Sequence, residues 1–412
     1  MNNFNISELA DRTREAQIAL GHCLHTAWTN YTDALLPIVK IHEQNGKEHL
    51  DKDILNGYVR HIEGRLSRKE IGTSYFNILR LGAERMVEMN ETGTLEWTCR
   101  GRVSKFILND YYDGLLEMFL SSDDWHNNTR GDVTWVARKF FAWLIQDGHN
   151  DLSDAGAGEI QRFMIHCTKH LRSSSMYDIQ LYMKKLCRCL NEGGYLPSDF
   201  KSLLSFKVNR ESKMYPAAMD SDVAAILNTI DRSKTKGRRD YAIILLAAVT
   251  GLRAIDIARL KLSDIDWQKG EIKIIQSKTG KPLVLPLTKD IGEAIKDYIL
   301  NGRQATSSDA VFLRHHAPFK AFTNSISIGN MYDGYCKRAN IFREPHDGKG
   351  FHSLRRAVGK KLVTSGISIN TTAQILGDVK IESTKKYISL DSRHLKECAL
   401  DFSGIEMEVQ NA

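Results

Sequence analysis

Apolar residues recur every three or four positions along most of the chain, a spacing that predicts helices. Two such stripes fall within the first 110 residues: Ile54, Tyr58, Ile62 and Leu66, and Tyr75, Ile78, Leu79 and Met86. Residues 121–132 are polar enough to predict a linker or a long loop. Beyond them, further apolar stripes begin at Val133, Ile160 and Ile179, so a second helical set is expected.

In the second half of the chain the spacing of the apolar residues switches once from the helical period to a period of two and back. Residues 220–230 and 239–249 predict helices, whereas residues 271–276 and 282–286 alternate with a period of two. The segment between these two runs contains Gly280, which predicts a β-hairpin with the glycine in its turn. Helical spacing returns in residues 326–339, 353–364, 369–376 and 383–388. The expected fold is mainly α with one small β-hairpin or sheet.

The length of 412 residues suits two or three domains. Polar stretches and changes of pattern divide the chain into a helical N-terminal region (1–114), a helical domain (115–212), a third domain (213–390) and a tail (391–412). Residues 395–400 of the tail show the apolar spacing of an amphipathic helix.

The formal net charge of +7 is unevenly distributed. Residues 1–212 hold 26 basic and 28 acidic side chains, residues 213–390 hold 29 and 17, and the tail holds 2 and 5. One basic domain beside neutral segments indicates a polyanionic partner for that domain, with another task for the rest.

Composition also bears on the compartment. The longest apolar run, residues 242–249, is far shorter than the roughly 20 residues of a membrane span. The first residues turn acidic before any apolar segment that could act as a signal peptide. Seven cysteines without regular spacing fit a reducing environment. We therefore expect a cytoplasmic protein that is not associated with a membrane.

Several residues of the basic domain stand apart from its packing pattern. They are Arg253 after Thr-Gly-Leu, with Asp256 three residues on; Lys278 in the hairpin turn; His352 and Arg355 in a His-x-x-Arg sequence; the pair Leu376-Gly377; and Tyr387. Each alone has a structural explanation, such as capping or packing. In this order they resemble the tyrosine recombinase (phage integrase) family. The resemblance spans residues 213–390, and residues 122–209 resemble the core-DNA-binding domain of that family.

The resemblance implies a role for each residue, and the chemistry of a phosphodiester fits those roles. Arg253 and Arg355 would hold the nonbridging oxygens, because a guanidinium offers a planar pair of donors. Tyr387 would be the nucleophile that forms a 3′-phosphotyrosyl bond, and Lys278 would protonate the leaving 5′-oxygen. His352 would hold the phosphate or move the tyrosine proton. Asp256 would support Arg253 from behind.

One position departs from the family pattern. Asp378 follows Leu-Gly, where the family usually has His or sometimes Trp. An ionised carboxylate would repel a phosphate and cannot donate a hydrogen bond. Asp378 could turn toward Lys380 or Lys385, be protonated in the complex, or leave a neighbour to supply the missing donor. We favour the first orientation, with the hypothesis that Asp378 is dispensable for catalysis.

A metal site is the competing chemical interpretation. It rests on the residues His166, Cys167, His170, Cys187 and Cys189. The sequence contains no His-Glu-x-x-His, and cysteines two apart on a helix point in different directions. Neither a phosphate-binding Gly-x-x-x-x-Gly-Lys-Ser/Thr loop nor a paired-carboxylate motif for two metals occurs. No metal and no cofactor are therefore expected.

Double-stranded DNA is the expected partner, gripped mainly through phosphates. The basic residues predicted to contact it are Arg172, Lys184, Lys185, Arg188, Arg238, Arg239 and Lys281. The resemblance implies a homotetramer on paired sites, formed from a monomer in solution, with accessory DNA-bending proteins as further partners. Residues 1–114 would bind arm-type DNA or make protein contacts, and their 14 basic against 16 acidic side chains favour protein contacts. The tail would be an exchange helix between protomers.

The expected function is site-specific DNA recombination without a metal, in the integration or excision of a mobile element. Two alternatives stay open. One is a topoisomerase-like or resolvase-type relative, and the other is a DNA-binding protein of the same fold with impaired catalysis.

Overall fold

The structure is a computed structural model that describes residues 4–96, 106–208 and 214–388. These residues form two compact units. One unit is residues 106–208, and the other combines residues 4–96 with residues 214–388. Helices dominate both, and one small sheet lies in the second, so the predicted fold class is confirmed.

Residues 4–96 form a helical bundle. Its helices are α1 (Ile6–Ala19), α2 (Leu24–Asn30), α3 (Leu36–Gln44), α4 (Lys52–Ser67) and α5 (Thr73–Thr92), with a π-helical segment at Tyr31–Leu35. The side chain of Asp51 accepts hydrogen bonds from two backbone N–H groups at the start of α4. At Gly82 a Cβ atom would lie 2.5 Å from Ala34, so this glycine allows α5 to approach the π-helical segment closely.

The unit of residues 106–208 contains four helices: α6 (Asp110–Ser121), α7 (Asn127–Gln146), α8 (Ala157–His170) and α9 (Ser173–Glu192). Its core is rich in aromatic rings, with Phe163 edge-on to Phe140 at 5.0 Å between centroids. Two boundaries were wrong. The predicted long loop at 121–132 ends at α7, because the polar residues from Asn127 onward form its first turns. The predicted boundary at 114 falls inside α6.

Residues 214–388 carry eight α-helices, a 3-10 turn at Leu262–Asp264 and the sheet. The helices are α10 (Asp220–Asn228), α11 (Thr235–Thr250), α12 (Ala254–Ala258), α13 (Lys289–Asn301), α14 (Ile326–Arg338), α15 (His352–Thr364), α16 (Ile369–Leu376) and α17 (Ile381–Ile388). The strands are β1 (Ile265–Asp266), β2 (Glu271–Ile275) and β3 (Pro282–Pro286), antiparallel in the order β1-β2-β3. Ile272 pairs with Leu285, so the predicted hairpin is confirmed. The two-residue β1 was not predicted because it is too short to show a period.

The bundle of residues 4–96 contacts the loop before α14. The ring of Phe319 lies over Gly21, where a Cβ atom would be 2.7 Å from it. Lys320 donates a hydrogen bond to the carbonyl of Glu96. The predicted boundary near residue 212 and the predicted tail helix lie outside the described residues.

We expect Phe163→Ala to lower the free energy of unfolding of the 106–208 unit by about 3–5 kcal/mol, because it leaves a cavity among Phe140 and its neighbours. Ile165→Ala is the control, since Ile165 lies on the same helix and is 47% exposed. Urea unfolding followed by tryptophan fluorescence measures both. Equal losses for the two variants would contradict the assigned core.

Candidate active site

Arg253 is presented by the turn between α11 and α12. Gly251 follows α11 with a φ of 68°, the left-handed conformation that glycine adopts without strain. A Cβ atom there would also lie 2.9 Å from Leu376. Arg253 comes directly before α12, and its side chain is 13% exposed. Its Nη1 atom is buried and has no hydrogen-bond partner among the described residues. The turn thus holds a largely buried cation with one donor unused.

Arg355 lies in the first turn of α15, and its guanidinium is buried. It donates from Nη1 to the carbonyl of Gly251 (2.9 Å) and from Nη2 to the carbonyl of Leu376 (2.8 Å). Its side chain is 3% exposed. Three segments that are distant in the sequence therefore meet at one side chain.

Asp378 bridges the two arginines. Its Oδ1 accepts hydrogen bonds from Nη2 of Arg253 (2.7 Å) and from Nη2 of Arg355 (2.8 Å). Thr384 donates to Oδ2 at 3.3 Å. One carboxylate therefore neutralises part of the charge of two buried cations.

The expected orientation of Asp378 toward Lys380 or Lys385 is wrong. Both lysines are exposed, and Lys385 lies 3.6 Å from Glu382. Water solvates an exposed ammonium well, whereas a buried guanidinium depends on a counter-charge, so the carboxylate pairs with the arginines. The hypothesis that Asp378 is dispensable stays untested, but the orientation that supported it is not present.

Tyr387 lies on α17 with its ring buried against α15. The residue is 4% exposed and packs with Val358 and Leu376. Gly359 gives the ring its space, because a Cβ atom there would lie 2.6 Å from Cδ2 of Tyr387. Burial raises the pKa of the Tyr387 phenol, while the charge of Arg355 opposes that rise. The phenol of the free protein is therefore protonated at neutral pH.

His352 is the first residue of α15 and lies close to several arginines. Burial of the imidazole lowers its pKa to about 4, and the charges of Arg356, Arg355 and Arg253 act in the same direction. Part of the residue is nevertheless exposed. The ring is neutral at physiological pH, so its lone pair is available to a hydrogen-bond donor or a proton, and the low pKa makes it a weak base.

Lys278 is exposed in the turn between β2 and β3, as predicted. The residues before it hold the turn in place. The N–H of Ser277 donates to Oδ1 of Asp256 (2.8 Å), and Gln276 donates from Nε2 to the carbonyl of Leu376 (3.2 Å). Because that carbonyl also accepts from Arg355, the base of the hairpin is tied to the arginine pair.

Asp256 acts on Arg253 through charge and not through a hydrogen bond between their side chains. Burial and the charge of Arg355 lower the pKa of Arg253, whereas Asp378 and Asp256 raise it. Asp256 therefore acts on Arg253 through its charge and accepts its hydrogen bond from the hairpin, and the supporting role in catalysis stays a prediction.

Sequence reasoning missed Gln276. It is 1% exposed, and Thr279 donates to its Oε1 at 2.9 Å. The signal was present in the two-residue period, which places Gln276 on the same side as the buried Ile272 and Ile274. A polar residue in such a position needs buried partners.

Arg239 was predicted to contact DNA, and this prediction is wrong. Its guanidinium is buried and donates to Oδ1 of Asp240 (2.6 Å from Nη2) and to the carbonyl of Leu313 (2.8 Å). It also lies 5.3 Å from the ring centre of Phe322. Charge alone does not reveal which face of a helix a residue occupies, and Arg239 faces the core.

The other predicted DNA contacts stay predictions. Arg238 is half-buried and lies 3.2 Å from Asp297. Lys185 lies 3.0 Å from Asp123 and above the ring of Trp125. Lys184 is half-buried, and the remaining candidates are exposed: Arg172, Arg188 and Lys281.

Within residues 4–96, 106–208 and 214–388, no group of three or more His, Cys, Asp or Glu side chains could hold a metal ion. No helix in the same ranges is long and apolar enough to cross a membrane.

Residues 218–394 match the model of the phage integrase family, and this range contains the whole cluster around Arg253 and Arg355. The integrase/recombinase y4gC of Sinorhizobium fredii (strain NBRC 101917 / NGR234) is 34% identical over 196 residues, which are 47% of this chain and 100% of y4gC. The chain belongs to the tyrosine recombinase (phage integrase) family.

A further relative and two solved structures are also similar to this tyrosine recombinase. The integrase/recombinase y4rA of the same organism is 30% identical over 270 residues, 65% of each chain, so this chain spans just under two thirds of y4rA. A crystal structure of the XerH recombinase bound to a palindromic difH substrate covers 70% of this chain and 83% of its own, with 16% identity and a TM-score of 0.54. A lambda integrase(75–356) dimer bound to a COC′ core site covers 74% and 100%, with 17% identity and a TM-score of 0.53. These likenesses show a shared fold.

We expect the imidazole of His352 in this recombinase to stay neutral between pH 7.5 and pH 5.5, because its pKa is about 4. Nuclear magnetic resonance of ring-labelled histidine measures this, with His352→Gln identifying the signal. The pKa of this histidine in the unfolded chain is about 6.5, so below that pH the unfolded chain binds a proton there while the folded protein does not. The free energy of unfolding therefore falls as the pH is lowered from about 6.5 toward 4. A midpoint near 6.5 would contradict the assigned environment.

Proposed function

We propose that this protein is a site-specific DNA recombinase that cleaves and rejoins DNA through a 3′-phosphotyrosyl bond to Tyr387. The observation that carries the proposal is the joining of Arg253, Arg355 and Tyr387 at one buried site, with Nη1 of Arg253 unpartnered among the described residues. A buried donor in that condition favours an incoming acceptor, such as a phosphate oxygen. The family membership supports the same chemistry.

In the cleavage step the Oη of Tyr387 attacks phosphorus while the bond from phosphorus to the 5′-oxygen breaks. The guanidinium groups of Arg253 and Arg355 stabilise the charge that develops on the nonbridging oxygens. His352, neutral at physiological pH, accepts the phenolic proton. Lys278 donates a proton to the leaving 5′-oxygen. The covalent bond retains the energy for rejoining, so another strand's 5′-hydroxyl can reverse the step.

We also propose how the enzyme binds DNA, how it assembles and where it acts. DNA lies against the basic side chains of the domain of residues 213–390 and against the exposed basic residues of the 106–208 unit. The structures of XerH bound to a difH substrate and of lambda integrase bound to a COC′ core site support DNA as the partner. A monomer in solution forms a tetramer on two sites, with the tail as exchange helix and accessory DNA-bending proteins as partners. The names of the integrase/recombinase relatives favour a mobile-element enzyme. We propose that it acts on the nucleoid in the prokaryotic cytoplasm. Residues 1–114 make protein contacts.

We expect the wild-type protein to trap DNA covalently. Fragments of the source genome carrying random nicks would be incubated with protein, because a nick near the cleavage point lets the leaving strand diffuse away. Adducts that resist detergent would be recovered and sequenced. Tyr387→Phe should yield none, since the phenylalanine ring has no attacking oxygen.

His352→Gln serves as a matched variant that keeps the nucleophile, and it should form fewer adducts than wild type but more than Tyr387→Phe. If wild type and Tyr387→Phe both enriched particular DNA sites and wild type formed no covalent adduct, the enzyme assignment would be overturned. That outcome would favour a DNA-binding protein with impaired catalysis.

We expect Lys278→Ala to slow cleavage by roughly 10²–10⁴-fold, the usual contribution of a general acid. A substrate with sulfur in place of the bridging 5′-oxygen should restore the rate, because a thiolate leaves without protonation. Lys281→Ala is the control from the same turn, and its defect, if it contacts phosphate, should not respond to sulfur. Equal responses of both variants would contradict the assigned role of Lys278.

A further inference from the structure

Among the described residues, one carboxylate oxygen is shared by two buried arginines. Oδ1 of Asp378 lies 2.7 Å from Arg253 and 2.8 Å from Arg355, and the three side chains are 6%, 13% and 3% exposed. Two guanidinium groups this close repel each other, and burial strengthens the repulsion. In the free protein the carboxylate offsets that repulsion.

The position of Asp378 Oδ1 is that of an acceptor for two convergent guanidinium groups. A nonbridging phosphate oxygen needs the same two donors. The carboxylate and a phosphodiester would each bring a negative charge to this place, so they cannot both occupy it at low cost. The unpartnered Nη1 of Arg253 adds a donor that the single carboxylate oxygen does not satisfy.

The backbone around Asp378 is held firmly, so exchange needs only the side chain to move. The N–H of Asp378 donates to the carbonyl of Ala373 (2.8 Å), and that of Gly377 donates to Gln374 (3.0 Å). Gly377 has a φ of 66°, which closes the C-terminus of α16. A rotation of the Asp378 side chain frees both arginines and leaves this cap unchanged.

We propose that the Asp378 carboxylate is an internal anion that occupies the binding site formed by Arg253 and Arg355 in the free protein, and that an incoming phosphate or sulfate group competes with it for both. The identity of the natural competitor, a DNA phosphodiester, rests on the proposed function. Thr384, which is fully buried on α17 and bonded to Oδ2, ties this exchange to the helix that carries Tyr387.

The carboxylate withdraws positive charge from the site, so a phosphate binds less tightly than it would to the bare arginine pair. Removing the carboxylate should therefore open an anion site that is accessible to a simple ion.

Inorganic sulfate tests this without knowledge of the DNA site. The full chain of wild type, Asp378→Asn and Asp378→Ala would be titrated with sodium sulfate at constant ionic strength, with the melting temperature and calorimetric binding as readouts. We expect sulfate affinity to rise in the order wild type, Asp378→Asn, Asp378→Ala, with at least a tenfold difference between the ends. Asp378→Asn keeps the shape of the side chain, so the series stays informative if Asp378→Ala folds poorly.

Asp297 provides the matched control. It lies between Arg232 (3.7 Å) and Arg238 (3.2 Å), and Arg232 is 50% exposed. Asp297→Ala removes the same charge from an arginine pair in which Arg232 is solvated and Arg238 is half-buried, so sulfate affinity should stay within twofold of wild type. Adding Arg253→Ala to Asp378→Ala should abolish the new binding.

Equal sulfate affinity in wild type and both Asp378 variants would overturn the proposal, whether the shared affinity is high or absent. The outcome is independent of the covalent trapping experiment. Adducts on DNA together with no sulfate difference would refute the internal anion and leave the recombinase function standing. A sulfate difference without adducts would refute the recombinase function alone.

Discussion

The arrangement of the candidate active site depends on the burial of one cation, the guanidinium of Arg355. A buried charge is costly unless its donors are satisfied. Here the acceptors are the carbonyls of Gly251 and Leu376 and the carboxylate of Asp378, and they belong to segments more than 100 residues apart. The need to satisfy this one group therefore fixes how the end of α11, the end of α16 and the start of α15 meet.

Three glycines make that meeting possible. Gly251 and Gly377 take left-handed conformations that end α11 and α16, and a Cβ atom on either would clash with a neighbouring side chain. Gly377 lies against Gln276, and Gly359 lies against the ring of Tyr387. The short motifs Thr-Gly-Leu-Arg and Leu-Gly thus determine the conformation of the backbone as well as the chemistry of the site. Each glycine lets its backbone approach a neighbouring side chain closely.

Much of this could be predicted from the sequence where the information is local. The helical spacing and the two-residue period of the hairpin each depend on near neighbours, and they were predicted correctly. The order of the residue types also pointed to Arg253 and Tyr387. Contacts across the chain were not accessible in this way. Nothing near Asp378 in the sequence indicates a partner 125 residues away. The burial of Arg239 depends on the orientation of α11, which its charge does not report.

The pairing of Asp378 with the arginines changes how strongly the site attracts a phosphate. A neutral donor at this position would add to the attraction for phosphate, whereas the carboxylate subtracts from it. In exchange, the free protein keeps two close guanidinium groups at a fixed separation without a bound anion. Electrostatic preorganisation requires donors that are in place before the charge develops. The carboxylate maintains that arrangement at the cost of ground-state affinity, and weaker ground-state binding is compatible with fast chemistry because only the transition state has to be held tightly.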